Sequence, residues 1–91
     1  MSTISRIRQK ILDRSYFLSG HAEDEMHDDE LTRPDIEYAI LHGEVEKRLK
    51  KDARGTRCRI AGPAIDGRDT RIICRFRAAG DLLIITVYAK D

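Results

Sequence analysis

The stretch that decides the fold is TRPDIEYAILHGE, residues 32–44, which opens with helix signals and ends at the start of a strand. Thr32 is a typical N-cap residue, and Pro34 falls in the first helical turn, where its missing N–H costs nothing. Asp35 follows the cap by three residues and can return a hydrogen bond to it, as in a capping box. The stretch therefore predicts a helix that begins at Thr32.

This helix is predicted to end at Gly43, where we expect a left-handed C-cap. Its apolar stripe consists of Ile36, Ala39 and Ile40, with Leu41 beside it. Beyond Gly43 the apolar residues recur with a period of two, which is typical of strands. Strands are predicted at residues 44–50, 56–61, 70–77 and 82–89. The short connections between them favour antiparallel pairing, because parallel pairing needs a long crossover.

Upstream of Thr32 the spacing of apolar residues predicts two more helices, at residues 4–12 and from His21 to about Glu30. Between them, residues 15–19 are aromatic and β-prone and predict a brief strand or an extended connector. The fold class expected is α+β, with three N-terminal helices packed on a mainly antiparallel four-stranded sheet. Residues 16–18 are the candidate for one extra short strand.

Length and composition indicate one small domain over residues 1–91, since 41% of the residues are apolar and 36% are charged. This balance excludes fibrous and disordered chains, and no apolar run reaches the ~18 residues of a membrane helix. Met1 is not followed by an apolar signal segment. The two cysteines lack C-x-x-C spacing, so we expect reduced thiols, no disulfide framework and a cytoplasmic location.

The charges are distributed unevenly along the chain. Residues 1–43 hold five Lys/Arg against nine Asp/Glu, whereas residues 44–91 hold twelve Lys/Arg against seven Asp/Glu. Alternation places the arginines of the predicted strands on one sheet face, which carries Arg57, Arg59, Arg71, Arg75 and Arg77. The face that the helices are expected to cover carries Cys58, Ile60, Ile72, Cys74 and Phe76. The basic face either binds a polyanion or is a solvated surface that pairs with the acids of the second helix.

The segment HAEDEMHDDE, residues 21–30, contains six carboxylates and no Lys or Arg. His21, Glu25 and Asp28 share one helical face and could meet at a divalent ion. The spacing is not that of H-E-x-x-H, and metal sites normally recruit ligands from a second element as well. We therefore expect a solvated acidic helix surface and no metal.

Several short motifs follow one another along residues 17–88. They are Ser19-Gly-His21-Ala22 with Met26, Asp35-Ile36, Ala39-Ile40, Gly43-Glu44, Arg54-Gly55, Gly67-Arg68 and the final Ile-Ile-Thr86-Val87-Tyr88. In this order they resemble a family of small bacterial domains of unknown function with the signature HA-x-x-R-M near the start and TVY at the end. That family is similar to the RelE and MqsR class of toxins, which are small α+β messenger-RNA endonucleases.

The resemblance implies a RelE-like fold and an endoribonuclease of the mRNA interferase type that works without metal or cofactor. It implies messenger RNA or the ribosome as substrate or partner, and a small antitoxin-like protein as a second partner. The catalytic candidates are His21, Arg54, Arg75 and Tyr88, and the RNA-binding candidates are Arg57, Arg59, Arg71 and Arg77. Arginines match phosphate geometry and stabilise a phosphorane, histidine exchanges protons near neutral pH, and tyrosine can donate a proton or stack on a base.

Each of these candidates also has a structural interpretation. His21 can cap the start of its helix, and Tyr88 can close the core at a sheet edge. The chain also departs from the family motif, with Glu25, Asp28 and Asp29 at positions that are usually basic, and Arg71 where histidine is frequent. The sequence is therefore compatible with an active endoribonuclease, with a weakened descendant of one, or with a non-catalytic binding module that uses the arginine-rich face and the acidic helix.

Overall fold

The fold is that of a computed structural model, which describes residues 2–49 and 55–90. The helices are α1 (Thr3–Leu12), α2 (Gly20–Asp28) and α3 (Arg33–His42). The strands are β1 (Tyr16–Leu18), β2 (Glu44–Arg48), β3 (Cys58–Pro63), β4 (Asp69–Phe76) and β5 (Leu82–Ala89). Each helix and strand predicted from the sequence is present, including the short strand at residues 16–18, and the bounds differ by at most two residues. The predicted end of the second strand, at residue 50, lies outside the described residues.

The sheet has five strands in the order β1-β5-β4-β3-β2. The four strands from β2 to β5 pair in antiparallel fashion, as predicted, but β1 is parallel to β5. The extra short strand at residues 16–18 makes the sheet five-stranded, and its parallel pairing, which was not predicted, makes the sheet mixed. The reason is that two helices and three strands separate β1 from β5, which gives the chain the long connection that parallel pairing requires.

The capping box predicted at Thr32 is confirmed: its side chain accepts from the backbone of Asp35, and Asp35 accepts from the backbone of Thr32. The prediction for Gly43 is wrong, because its backbone is extended rather than left-handed. Glycine is needed there for close approach, since a Cβ would overlap the carbonyl oxygen of Ala61. A Cβ at Gly62 would similarly overlap the carbonyl oxygen of Ala39, so the end of α3 lies directly on the backbone of β3.

All three helices pack against one face of the sheet and form a single core. The helices contribute Ile7, Ile11, Ala22, Met26, Ile36, Ala39 and Ile40, and the sheet contributes Tyr16, Cys58, Ile60, Ile72, Cys74, Leu82, Ile84 and Val87. Both cysteines are free thiols in this core, and burial raises the pKa of Cys74 to about 12. Within the described chain, no helix is long and apolar enough to cross a membrane.

Candidate nucleic-acid interface

The sheet face opposite the core is not covered by any helix of the described chain, and we call it the open face. Register and alternation assign to it Phe17, Arg59, Arg71, Ile73, Arg75, Leu83, Thr86 and Tyr88. Phe17 is 54% exposed, whereas the other members are half-buried, except for Arg71. The open face therefore mixes arginine, aromatic and aliphatic side chains.

Arg71 is a buried member of the open face, with only 7% of its surface exposed. Its Nε and Nη2 donate to the carboxylate of Glu46 at 3.0–3.1 Å, and its Nη1 donates to Asp69 and to the carbonyl of Thr70. The hydrogen bond to Asp69 has the largest effect and raises the pKa of Arg71. Burial lowers this pKa, but the hydrogen bond to Glu46 raises it further, so that the net shift is upward. Tyr88 lies directly opposite Arg71 on β5. All three nitrogens of this guanidinium are thus engaged within the protein.

Glu46 joins two arginines because of a bulge in β2. The register between β2 and β3 shifts between Val45 and Lys47, which leaves Glu46 as the extra residue. Such a bulge redirects a side chain, and here the carboxylate also accepts from Arg59 Nε at 2.8 Å. Burial alone would raise the pKa of Glu46, but the hydrogen bonds from both arginines lower it below its ordinary value.

Arg77 lies beyond the end of β4, where its guanidinium stacks 4.7 Å from the centre of the Phe17 ring. It also pairs with Asp81 at 2.9 Å. The carboxylate partners of Arg71 and Arg77 thus come from β2, β4 and the β4–β5 turn. The suggestion that these two arginines pair with the acids of α2 is therefore wrong.

The acidic helix α2 completes the hydrogen bonding of an edge of β5. Strand β1 covers only the first half of that edge, and Ser19 Oγ donates to the carbonyl of Ile85 where β1 ends. Beyond this point Glu25 accepts from the backbone N–H of Val87 at 3.1 Å, and Asp29 accepts from that of Ala89 at 2.9 Å. These two carboxylates act as acceptors in place of a neighbouring strand.

His21 lies in the first turn of α2, but it does not cap the helix. The cap is Ser19, whose side chain accepts from the backbone of Ala22. His21 is two-thirds exposed, and its Nε2 lies 3.1 Å from Glu25 Oε1. Since Glu25 also binds the backbone of Val87, the imidazole lies at the rim of the sheet beside the strand that carries Tyr88. His21, Tyr88 and Arg71 are therefore near one end of β5.

Arg57 and Arg75 are at the opposite end of the open face. Arg75 follows Arg71 by four residues on β4, which corresponds to about 13 Å. Arg57 precedes Cys58, whose partner Cys74 is adjacent to Arg75. The Nε of Arg57 is buried and has no hydrogen-bond partner within the described chain. Arg54 lies outside the described residues.

The structure also has features that the sequence analysis missed. Glu46 was not considered, and only an interruption of the β2 alternation could have indicated a bulge. Phe17 was predicted to lie in a short strand, but its exposure on the open face was not predicted. That exposure follows from the parallel pairing of β1 with β5. Among residues 2–49 and 55–90, no group of three or more His, Cys, Asp or Glu side chains could hold a metal ion.

No curated protein and no solved structure matches this chain. The sequence pattern of one family, described as "Domain of unknown function (DUF4258)", matches residues 18–89. The match covers most of the chain, from the last residue of β1 through α2, α3 and the other four strands, and it supports the expected small domain of unknown function. The chain belongs to the DUF4258 family of domains of unknown function.

Proposed function

We propose that this domain binds single-stranded RNA on the open face of its sheet. The observation that carries the proposal is the exposed Phe17 ring, which has the Arg77 guanidinium stacked on it. Proteins hold single strands by stacking bases on aromatic or guanidinium planes and by placing cations along the backbone. Tyr88, half-buried on the same face, provides a second aromatic surface.

The arginines on the open face and beside it are not equivalent as phosphate ligands. Arg71 is fully engaged, and Arg59 is tied to Glu46. Arg77 is 43% exposed in its side chain and pairs with Asp81 in an i,i+4 arrangement. Because Arg77 uses Nε and Nη2 for Asp81, whose side chain is only 16% exposed, a phosphate would bind through the remaining Nη1. The proposal therefore assigns the main backbone contact to Arg77, with Arg75 as the next candidate along β4.

The binding test is a titration of a fluorescent single-stranded RNA with native protein, Phe17→Ala and Arg77→Gln. We expect each variant to lose about tenfold or more in affinity, because stacking contributes ~1–3 kcal/mol per base. Arg77→Gln should also flatten the salt dependence, because fewer counterions are released. The matched controls are Tyr38→Ala and Arg14→Gln, which change an exposed aromatic on α3 and an exposed arginine outside the open face. Equal affinity in all five proteins would reject the proposal.

A second candidate function is the metal-free endoribonuclease activity implied by the similarity to the RelE and MqsR toxins. The specific observation in its favour is the His21–Glu25 contact beside the strand that carries Tyr88. A carboxylate that orients an imidazole is a frequent device in acid–base catalysis. Here His21 would take the proton of a ribose 2′-OH as that oxygen attacks the phosphorus. Tyr88 would donate a proton to the leaving 5′ oxygen, and the positive charge of Arg71 would stabilise the phosphorane.

The acids of α2 work against this activity. Glu25 and Asp29 lie at the rim where the scissile phosphate would lie, and carboxylates there oppose the charge that develops in the transition state. Arg75 is also too distant along β4 to join the same phosphate as Arg71 without movement. If the domain is an enzyme, we therefore propose that it is a weakened descendant of a toxin. Messenger RNA, the ribosome and a small antitoxin-like protein are the partners that this form implies.

Cleavage is tested by incubating purified protein with messenger RNA, both alone and with ribosomes. The enzyme proposal predicts slow cleavage that His21→Ala reduces by ~10²–10⁴. His27→Ala is the matched control, since His27 is exposed on another side of α2. Intact RNA under both conditions would reject the enzyme and leave the binding function in place. Cleavage that His21→Ala does not reduce would reject the assignment of His21.

A further inference from the structure

A cavity of about 210 Å³ lies on the helix side of the sheet, between the start of α1 and the ends of β2, β3 and β4. Its polar walls include Thr3, Arg6, Arg48, Thr56 and Arg75. It lies mainly on the core side, because Arg48 pairs in register with Cys58, whose side chain is in the core. Arg75, which alternation assigns to the open face, is the residue that borders both the proposed RNA surface and this cavity.

The walls of this cavity carry positive charge without a carboxylate among the described lining residues. Arg48 Nη2 donates to the hydroxyl of Thr3, which holds the guanidinium at the cavity. Arg6 stacks 4.6 Å from the centre of the Phe76 ring, which fixes a second guanidinium. Within the described chain, no carboxylate lies within ion-pair distance of either Arg6 or Arg48.

A second cavity of about 360 Å³ adjoins the first, since both are bounded by Arg6 and Phe76. Its walls add Lys10 and Gln9, and again no carboxylate is among the described lining residues. Two acids lie close to these walls. Asp13 accepts from Gln9 Nε2 at 3.0 Å. Asp81 feels the charge of Lys10 but is hydrogen-bonded first of all to Arg77. Positive charge thus extends from Arg48 along the first two turns of α1.

We propose that the cavity between Arg6 and Arg48 is a binding site for a phosphate group. Arginine forks bind phosphate through two parallel hydrogen bonds, and hydroxyls such as those of Thr3 and Thr56 supply further donors. Pockets for drug-sized ligands measure about 300–1,000 Å³, so a cavity of 210 Å³ fits a small polyatomic group. The first turn of α1 contains no acidic residue, so its helix dipole adds potential of the same sign.

The test uses the full chain and inorganic phosphate, with sodium chloride of matched ionic strength as the reference. Binding to the native state should raise the midpoint of thermal unfolding by about 5–10 °C at a phosphate concentration ~10-fold above Kd. Arg6→Gln and Arg48→Gln should each weaken phosphate binding about tenfold or more. Both side chains are exposed enough for substitution without loss of the fold. Arg14→Gln is the matched control and should bind phosphate as the native protein does.

Phosphate that stabilises no more than chloride would overturn the proposal, as would variants at Arg6 and Arg48 that respond like the native protein. This readout contains no RNA, so it stands or fails apart from the function proposed for the open face. The source of the phosphate is identified by two further ligands. Tighter binding of a 5′-phosphorylated RNA than of its 5′-hydroxyl form identifies an RNA end. Equal RNA binding with stabilisation by ribose 5-phosphate identifies a small phosphate monoester.

Discussion

The carboxylate of Glu25 accepts a hydrogen bond from the backbone N–H of Val87 at 3.1 Å, across 62 residues of sequence. Asp29, the C-cap residue of α2, makes the same kind of contact with Ala89. An unpaired strand edge leaves N–H groups exposed and invites pairing with other chains. Two of the six acids in the stretch at residues 21–30 therefore have a defined structural role, which is to complete an edge of β5.

We expect Glu25→Ala to lower the free energy of unfolding by about 1–3 kcal/mol, because it leaves the part-buried N–H of Val87 without an acceptor. Glu25→Gln keeps an acceptor oxygen and should cost less. The matched control is Glu23→Ala on the exposed side of the same helix. Urea unfolding of the four proteins measures the difference. Equal stability of Glu25→Ala and Glu23→Ala would mean that the contact contributes nothing.

Arg71 is the residue where structural and binding roles compete. Arg71→Met should destabilise by about 2–3 kcal/mol, because it removes the cation from two carboxylates; this is less than for a fully buried pair, since Glu46 and Asp69 remain partly hydrated. Arg59→Met is the control, with one partner and a side chain 31% exposed, and should cost under ~1 kcal/mol. If urea unfolding shows that both variants lose the same unfolding free energy, the ion pairs of Arg71 do not stabilise the fold more than that of Arg59. Arg71 would then again be a candidate RNA ligand.

The contact between α3 and β3 depends on the absence of a side chain at Gly62. Gly62→Ala places a methyl group against the carbonyl oxygen of Ala39, and neither backbone can move without disturbing the other. We expect a loss of about 3 kcal/mol, at the upper end of overpacking effects. Gly20→Ala is the control, because a Cβ there meets nothing within 4 Å. A thermal unfolding midpoint for Gly62→Ala as high as that for Gly20→Ala would contradict the close approach.

Local signals account for what the sequence predicted well. The capping box of α3 depends on Thr32 and Asp35, which are three residues apart, and the faces of β4 follow from simple alternation. Features that depend on distant residues could not be predicted in this way. The parallel pairing of β1 with β5 and the contact between Glu25 and Val87 each join opposite ends of the chain. Gly43 was assigned the wrong conformation because its requirement comes from Ala61 on β3, not from its own helix.

The acid sensitivity of the fold should depend in part on Asp35. Burial would raise the pKa of this carboxyl, but hydrogen bonds from the backbone of Thr32 and Ile65 lower it below its ordinary value. Its stabilising effect is therefore complete above the unfolded pKa of about 3.9 and is lost as pH falls through the folded pKa. Between pH 6 and pH 3, native protein should lose more unfolding free energy than Asp35→Asn. Parallel losses in the two proteins would contradict this assignment.

The most direct test of the central claim is a map of backbone amide chemical shifts during titration with a short single-stranded RNA. If the open face binds RNA, the largest changes should occur at Phe17, Ile73, Leu83 and Tyr88, with small changes in α3. An RNA with a 5′-phosphate should add changes near Arg48 only if its end enters the cavity at the start of α1. Changes confined to the helices, or none at concentrations that saturate binding, would contradict the claim that the sheet holds the RNA.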